Sequence, residues 1–333
     1  MRRERKAVNK KIFSFVLVAL LFALSVSVRA QQPEKIHWIG YLTGSGSSPN
    51  QAFIQGLREL GYVEGKNIGF VYRSAEGTQE RFADLATELV RLKVDIIVAD
   101  NTSMVLAAKK ATNTISIVMM ALTDPVGTGL VANLARPGGN VTGLTNISGE
   151  LGGKSLDLLK EIVPKLSRVA ILRGVGPRGG ADDVFVRETE LPARALGVQL
   201  IPVMVQGPDD FEDAFRSITK ERANGLFIRL LPNTYTVPFK RVADLTIKNR
   251  LPSIAQQLTW VDAGGLMSYG ADPNIIYRRA ATYVDKILKG AKPADLPVEA
   301  PMKFDLRINL KTAKQIGLEI PQSVLFRADK VIK

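Results

Sequence analysis

Apolar and polar positions alternate along the chain between two rhythms. Short, nearly continuous β-branched runs are separated by longer stretches in which apolar residues recur every three or four positions. Ile36–Leu42, Asn67–Tyr72, Val94–Ala99 and Ile115–Met120 read as strands in the first half, with Val94–Ala99 (VDIIVA) apolar enough to be covered on both faces. Between them lie helical patterns at Asn50–Leu60, after Thr78, and at Met104–Ala111. The second half repeats the alternation. Helices are predicted at Ser148–Val163, Asp182–Leu196 (broken at Pro192), Asp209–Arg222 and Val237–Asn249, with strands at Arg168–Leu172, Val198–Val203, Gly225–Leu230 and Leu251–Ala255. Two βαβ series of similar length predict two parallel-sheet lobes, with a single (β/α)₈ barrel as the alternative.

The stretch Ala121–Asn146 joins the two series. Asp124-Pro125 reads as a helix start, Asp as N-cap and Pro at the first helical position. Arg136-Pro137-Gly138-Gly139 reads as its stop, and Asn140–Leu144 as one more strand. Strand, capped helix, glycine break and strand are what a chain needs to leave one α/β domain through a hinge. The segment DPVGTGLVANLARPGGNVTGLT, together with Ala263–Gly270 and Tyr277–Pro297, resembles the substrate-binding proteins of ABC importers.

That resemblance spans nearly all of the chain after residue 30. It implies an α/β fold of two doubly wound parallel-sheet lobes joined by a multi-strand hinge, the type I periplasmic binding fold. The implied lobes are residues 31–144 with 268–297, and 145–267 with 298–333. Hinge positions are then Gly138, Gly139, Gly143 and Tyr269, with a further crossing near Pro297–Pro301. The implied function is capture of a small organic ligand, an amino acid or other carboxylate, and its delivery to an ABC permease. The protein is expected to act as a monomer.

At 333 residues the chain exceeds one ordinary core, and 46% apolar with 23% charged residues is an ordinary globular balance. The absence of cysteine excludes thiol nucleophiles, thiolate metal sites, disulfides and a lipid-modified cysteine anchor. Residues 1–30 carry seven basic groups and one acid, so about half of the net charge of +13 belongs to them. The rest is spread without an arginine stripe, and nucleic acid is not an expected partner. The basic start, the apolar run Ile12–Val28 and the small residues of Val28-Arg29-Ala30 predict an export signal cut before Gln31 and a periplasmic product. The alternative is an uncut anchor, for which 17 apolar residues is short.

Ligands in open α/β sheets collect at the carboxyl ends of strands, where helix N-termini converge. That rule selects the loops at 43–50, 100–103, 122–124, 173–180, 231–235 and 256–260. The ligand candidates are Ser47, Ser48, Asn101, Thr102, Ser103, Thr123, Asp124, Thr234, Tyr235 and Gln257. Ser47, Ser48, Asn50, Thr102 and Ser103 either cap helices or touch ligand, and Asp124 either caps or pairs with a ligand ammonium. Tyr235 and Trp260 either pack or stack on ligand. Arg173 and Arg178, in a loop unlike the Asn-Pro type of the resembled family, either bind an anion or form a solvated turn.

Enzyme classes find little support. Gly44-Ser45-Gly46 lacks the third glycine and the acidic residue of a dinucleotide fingerprint. His37, the one histidine, sits inside the first strand, away from the ligand edge, so neither a Ser-His-Asp triad nor a histidine metal site is at hand. No cofactor is expected.

Overall fold

The computed structural model describes residues 35–44, 49–146, 148–174, 181–230 and 238–333. Within it His37–Lys333 form one compact unit, to which the following account refers. Residues 1–30, expected to be an export signal, lie outside the described residues.

Two sheets replace the single barrel. The first, in the order β2-β1-β3-β4-β5, is parallel throughout: β1 (His37–Thr43), β2 (Ile68–Ser74), β3 (Ile96–Ala99), β4 (Ser116–Thr123) and β5 (Val141–Asn146). Helices α1 (Gln51–Glu59), α2 (Phe82–Arg91) and α3 (Thr102–Ala111) connect its strands. Alternation along the strands divides their side chains between two cores. Ile97, Ala99 and Met119 face α2 and α3 with Leu85, Leu89 and Met104, while Ile39, Tyr41, Val98 and Val118 face α1 with Phe53 and Leu57.

The second sheet has the order β12-β11-β10-β9-β8-β6-β7, its outer strands β11 and β12 being Asp305–Asn309 and Lys330–Ile332. Its parallel part comprises β6 (Arg168–Gly174), β7 (Gln199–Val205), β8 (Gly225–Arg229), β9 (Ser253–Ala255) and β10 (Met267–Gly270). The helices α4 (Ser148–Ile162) and α5 (Ala181–Ala195) cover one face. On the other lie α6 (Phe211–Lys220), α7 (Phe239–Lys248) and the short α8 (Thr259–Asp262). Helix α5 runs through Pro192 instead of breaking there, and the Pro192 ring packs close to Gly153 of α4. Thr78 makes no side-chain cap; a 3₁₀ turn, Gln79–Arg81, leads into α2 instead.

After β10 the chain returns to the first lobe as α9 (Pro273–Leu288), which packs against α1 and buries Ile276, Ala280, Tyr283 and Val284 in the Ile39/Tyr41 core. Gly56 permits that approach, since a Cβ there would lie 2.7 Å from the Arg278 carbonyl oxygen. Residues beyond α9 run beside β5, where Thr145 N–H donates to Glu299 O at 2.9 Å and Glu299 N–H to Gly143 O at 3.1 Å. The chain then joins the second sheet again as β11 (Asp305–Asn309), antiparallel to β10, followed by α10 (Leu310–Ile316), α11 (Gln322–Leu325) and β12 (Lys330–Ile332).

The helix expected after Asp124-Pro125 does not form. Residues 124–139 make consecutive turns and bends, with Asp124 itself at φ +43°. A left-handed Asp cannot serve as an N-cap, whose backbone is extended. Instead its Oδ1 accepts from Gly127 N–H at 2.7 Å, and its carbonyl oxygen accepts from the Thr128 hydroxyl at 2.8 Å. Lys109 of α3 ties the middle of this region down, donating to the Gly129 and Leu130 carbonyls at 2.6 and 2.9 Å.

The glycines expected at the hinge lie on either side of the start of β5. Gly138, at φ +78°, and Gly139 belong to this turn region, ahead of β5. Gly143, at φ +132°, lies within β5 opposite Met119, and an added Cβ would come within 2.2 Å of the Met119 carbonyl oxygen. Tyr269 lies in β10 of the second sheet, its ring 6.0 Å from Phe304. The chain passes between the sheets three times: between β5 and α4, between β10 and α9, and between Glu299 and β11.

Candidate functional site

The strand order of the first sheet changes direction between β1 and β3, and a crevice opens at such a point outside the carboxyl ends of the strands. Thr43 ends β1 and Asp100 follows β3, so the two meet at this edge, Thr43 Oγ1 donating to Asp100 Oδ2 over 3.4 Å. Tyr41, buried two positions before Thr43 on β1, accepts a long 3.5 Å hydrogen bond from Asn50 N–H through its hydroxyl. Its ring lies 6.2 Å from that of Tyr72 on β2. Tyr277, one turn into α9, comes close enough to sense the Asp100 charge.

Among the described residues no cationic side chain forms an ion pair with Asp100. Burial pushes its carboxyl up to about 6, against the opposing hydrogen bond from Thr43. The start of α3 lies just beyond it, where helix N–H groups favour an anion, yet desolvation outweighs that help. Burial, and after it the charge of Asp100, pushes the Tyr277 hydroxyl up to about 12 and holds that of Tyr41 well above its ordinary range.

Asparagines, not hydroxyls, cap the adjoining helices. Asn50 Oδ1 accepts from Ala52 N–H at 2.8 Å at the start of α1, and Asn101 Oδ1 accepts from Met104 N–H at 2.9 Å at the start of α3. Thr102 and Ser103 occupy the first turn of α3, half-buried. Asp124 is half-buried past the end of β4, its carboxylate turned to Gly127. Ser47, Ser48, Thr234, Tyr235 and Arg178 lie outside the described residues, and of Thr123 only its backbone place at the end of β4 is described.

The second sheet repeats the order of the first in β7-β6-β8-β9-β10, so its reversal falls between β6 and β8. Arg173 and Arg229 are register partners there, on the face covered by α5. Arg173 donates to Asp183 Oδ1 of α5 at 2.6 Å and is therefore neither a solvated turn residue nor an uncommitted anion receptor. Arg229 is 2% exposed, with its guanidinium 4.6 Å from the Phe185 ring centre and Nη1 donating to Gln256 Oε1 at 2.9 Å. Gln257 donates weakly to Leu230 O at 3.3 Å, and its buried Oε1 has no partner among the described residues. Trp260 packs in the core edge-on to Phe239, the packing role rather than the stacking one.

Sequence reasoning named these strand ends and passed over the residues that set their charge. Asp100 sat inside a selected loop but was passed over for its hydroxyl neighbours. Arg229 and Tyr277 carried signals of another kind: a cation closing an otherwise apolar strand, and an aromatic one turn into a helix at a crossing point. The two reversal points thus carry opposite chemistry, a half-buried carboxyl in one sheet and a buried guanidinium in the other. Among the described residues no three His, Asp or Glu side chains converge as metal donors, and no helix is long and apolar enough to cross a membrane.

Residues 45–332 match the family model of the ABC transporter substrate binding protein. A tyrosine-binding protein of Clostridioides difficile (strain R20291) is 26% identical over 269 residues, covering 81% of this chain and 76% of its own. A conserved domain protein from Vibrio cholerae O1 biovar El Tor is similar in structure, with a TM-score of 0.80 and 30% identity over 89% of this chain and 99% of its own. The ABC domain from Streptococcus pneumonia in complex with L-Trp also has a TM-score of 0.80, with 26% identity over 90% of this chain and all of its own.

Proposed function

The chain belongs to the family of ABC transporter substrate-binding proteins, which bind solutes and are not enzymes, and from that premise we propose that it captures an amino acid, in first place an aromatic one, between its two lobes and delivers it to an ABC permease. The observation that carries this reading is the pairing of the two reversal points, one presenting Asp100 and the other Arg229. A zwitterion brings an ammonium and a carboxylate a few ångströms apart, and each is matched by one of these groups. The tyrosine-binding relative and the tryptophan-bound relative support the aromatic choice. Ser47, Ser48, Asn101, Thr102, Ser103, Thr123, Asp124, Thr234, Tyr235 and Gln257 are proposed to complete the site from the same strand ends. The protein works in the periplasm as a monomer after cleavage before Gln31, an export route in keeping with its family.

Recovering the exported protein tests both halves of the proposal at once. N-terminal sequencing is expected to return Gln31, and native mass spectrometry a bound amino acid. L-tryptophan, L-tyrosine or L-phenylalanine at 100 times its Kd raises stability by about 2.7 kcal/mol, readily visible as a thermal shift. A chain that starts at Met1 and stays with membranes would refute the export route. Indifference to all three amino acids, with none bound on isolation, would refute the ligand class.

A further inference from the structure

Several carboxylates in this protein are held by donors of its own. Asp183 has Arg173, Glu299 has both nitrogens of Arg279 at 2.8 Å, Glu88 has Arg73, and Asp124 has the Gly127 N–H. Asp100 has the Thr43 hydroxyl at 3.4 Å, a long contact to a neutral group, and its own backbone N–H. Burying a carboxylate on such terms is costly, and sites that keep one are sites that use it.

The groups that face Asp100 can be named element by element. From β1 come Tyr41 and Thr43, from α9 Tyr277, and from the start of α3 Asn101 with the helix N–H groups, while Tyr72 of β2 lies behind Tyr41. None of them is a cation. The nearest positive charge on β2, Arg73, is engaged by Glu88 and by the Tyr72 carbonyl. Asp124, past β4, is turned into its own loop. Among the described residues the place beside Asp100 is therefore acidic, flanked by two tyrosines, and short of one positive charge.

We propose that Asp100 is the residue that receives the cationic group of the ligand, and that it gives up its own proton to solvent as that group arrives. The inference rests on the reading of the ligand as a zwitterion. No covalent bond changes: the neutral carboxyl loses a proton, and the resulting carboxylate pairs with the ligand ammonium. Burial holds the empty carboxyl near pH 6, whereas the ammonium holds it ionised in the complex. Affinity then falls about tenfold for each pH unit below that value, and capture in mild acid releases close to one proton. The site also rejects a ligand that lacks the charge, so 3-indolepropionate does not replace L-tryptophan.

Calorimetry with L-tryptophan and L-tyrosine at pH 5 and 7.5, each in two buffers of different ionisation enthalpy, measures affinity and proton release together. The wild-type protein is expected to bind about tenfold more weakly at pH 5 and to release most of a proton there. Asp100→Asn is expected to lose about 10- to 100-fold in affinity at pH 7.5 and to show neither the pH slope nor the proton release. Glu212→Gln, at an exposed carboxylate of α6 paired with Arg241, is the comparison that keeps the slope. Wild-type binding with the same affinity at both pH values and no proton release overturns the role of Asp100 while leaving an amino-acid ligand in place. A proton release that persists in Asp100→Asn overturns it equally, by assigning the proton to another group. Failure of both amino acids to bind at either pH removes the ligand reading and this inference with it.

Discussion

A carboxyl held near pH 6 changes the ligand-free protein as well as the complex. The Asp100 value is raised from its ordinary 3.8, so the folded state holds the proton more tightly than the unfolded chain does. Its contribution to stability is complete below about pH 3.8 and is lost as pH rises through 6. Glu299 behaves in the opposite sense. The hydrogen bond from Arg279 holds it below the ordinary range, so its contribution is present above that range and lost in acid. A shift of about two units is worth up to ~3 kcal/mol. Asp100→Asn, neutral at every pH, is therefore expected to be more stable than the wild type at pH 7.5 and equal to it at pH 4, as read by urea denaturation. The same stability difference at both values would show that burial does not govern this carboxyl.

At the scale of elements, the turns after β4 decide how Asp124 should be tested. Its φ of +43° suits Asp or Asn and penalises most other side chains, and its Oδ1 closes the turn onto Gly127. Asp124→Asn is expected to keep the melting temperature, and Asp124→Ala to cost about 1–3 kcal/mol through the lost hydrogen bond and the left-handed backbone. Equal melting of the two variants would mean that the turn does not depend on this side chain. Weaker ligand binding in Asp124→Asn without a change in melting would place the residue in the site as well.

The same segment shows where the sequence was legible. Strands such as Val94–Ala99 and helices such as Asn50–Leu60 stood out because burial on a sheet or on one helical stripe imposes a period. Asp-Pro and Pro-Gly-Gly punctuate helices and turns alike, so the ends of residues 124–139 were marked without their content. The glycines at 127 and 129 were the available clue, since each weakens a helix. Positions at strand ends were likewise legible, but partners were not. That Asn50 and Asn101 would take the caps, that Asp183 would claim Arg173, and that α9 would bring Tyr277 to Asp100 all depend on packing between segments far apart in the chain.

For the whole molecule, three crossings between the sheets give two lobes a shared axis about which to move. A ligand that touches both lobes favours the closed arrangement by the contacts it makes only there. Small-angle scattering is expected to show a smaller radius of gyration with saturating L-tryptophan or L-tyrosine than without. An unchanged radius with binding confirmed in the same sample would mean that the protein captures its ligand without closing.

The return of α9 to the first lobe also bears on the order in which the protein can be made. Ile39, Tyr41, Val98 and Val118 wait for Ile276, Ala280, Tyr283 and Val284, which leave the ribosome only after the whole parallel part of the second sheet. Until then one face of the first sheet has only α1 to cover it, and the first half of the chain cannot settle into a finished domain. Under the export route proposed above, such a delay has a use: the segment from Pro273 onward then works as a timer, keeping the nascent lobe open until translocation is under way.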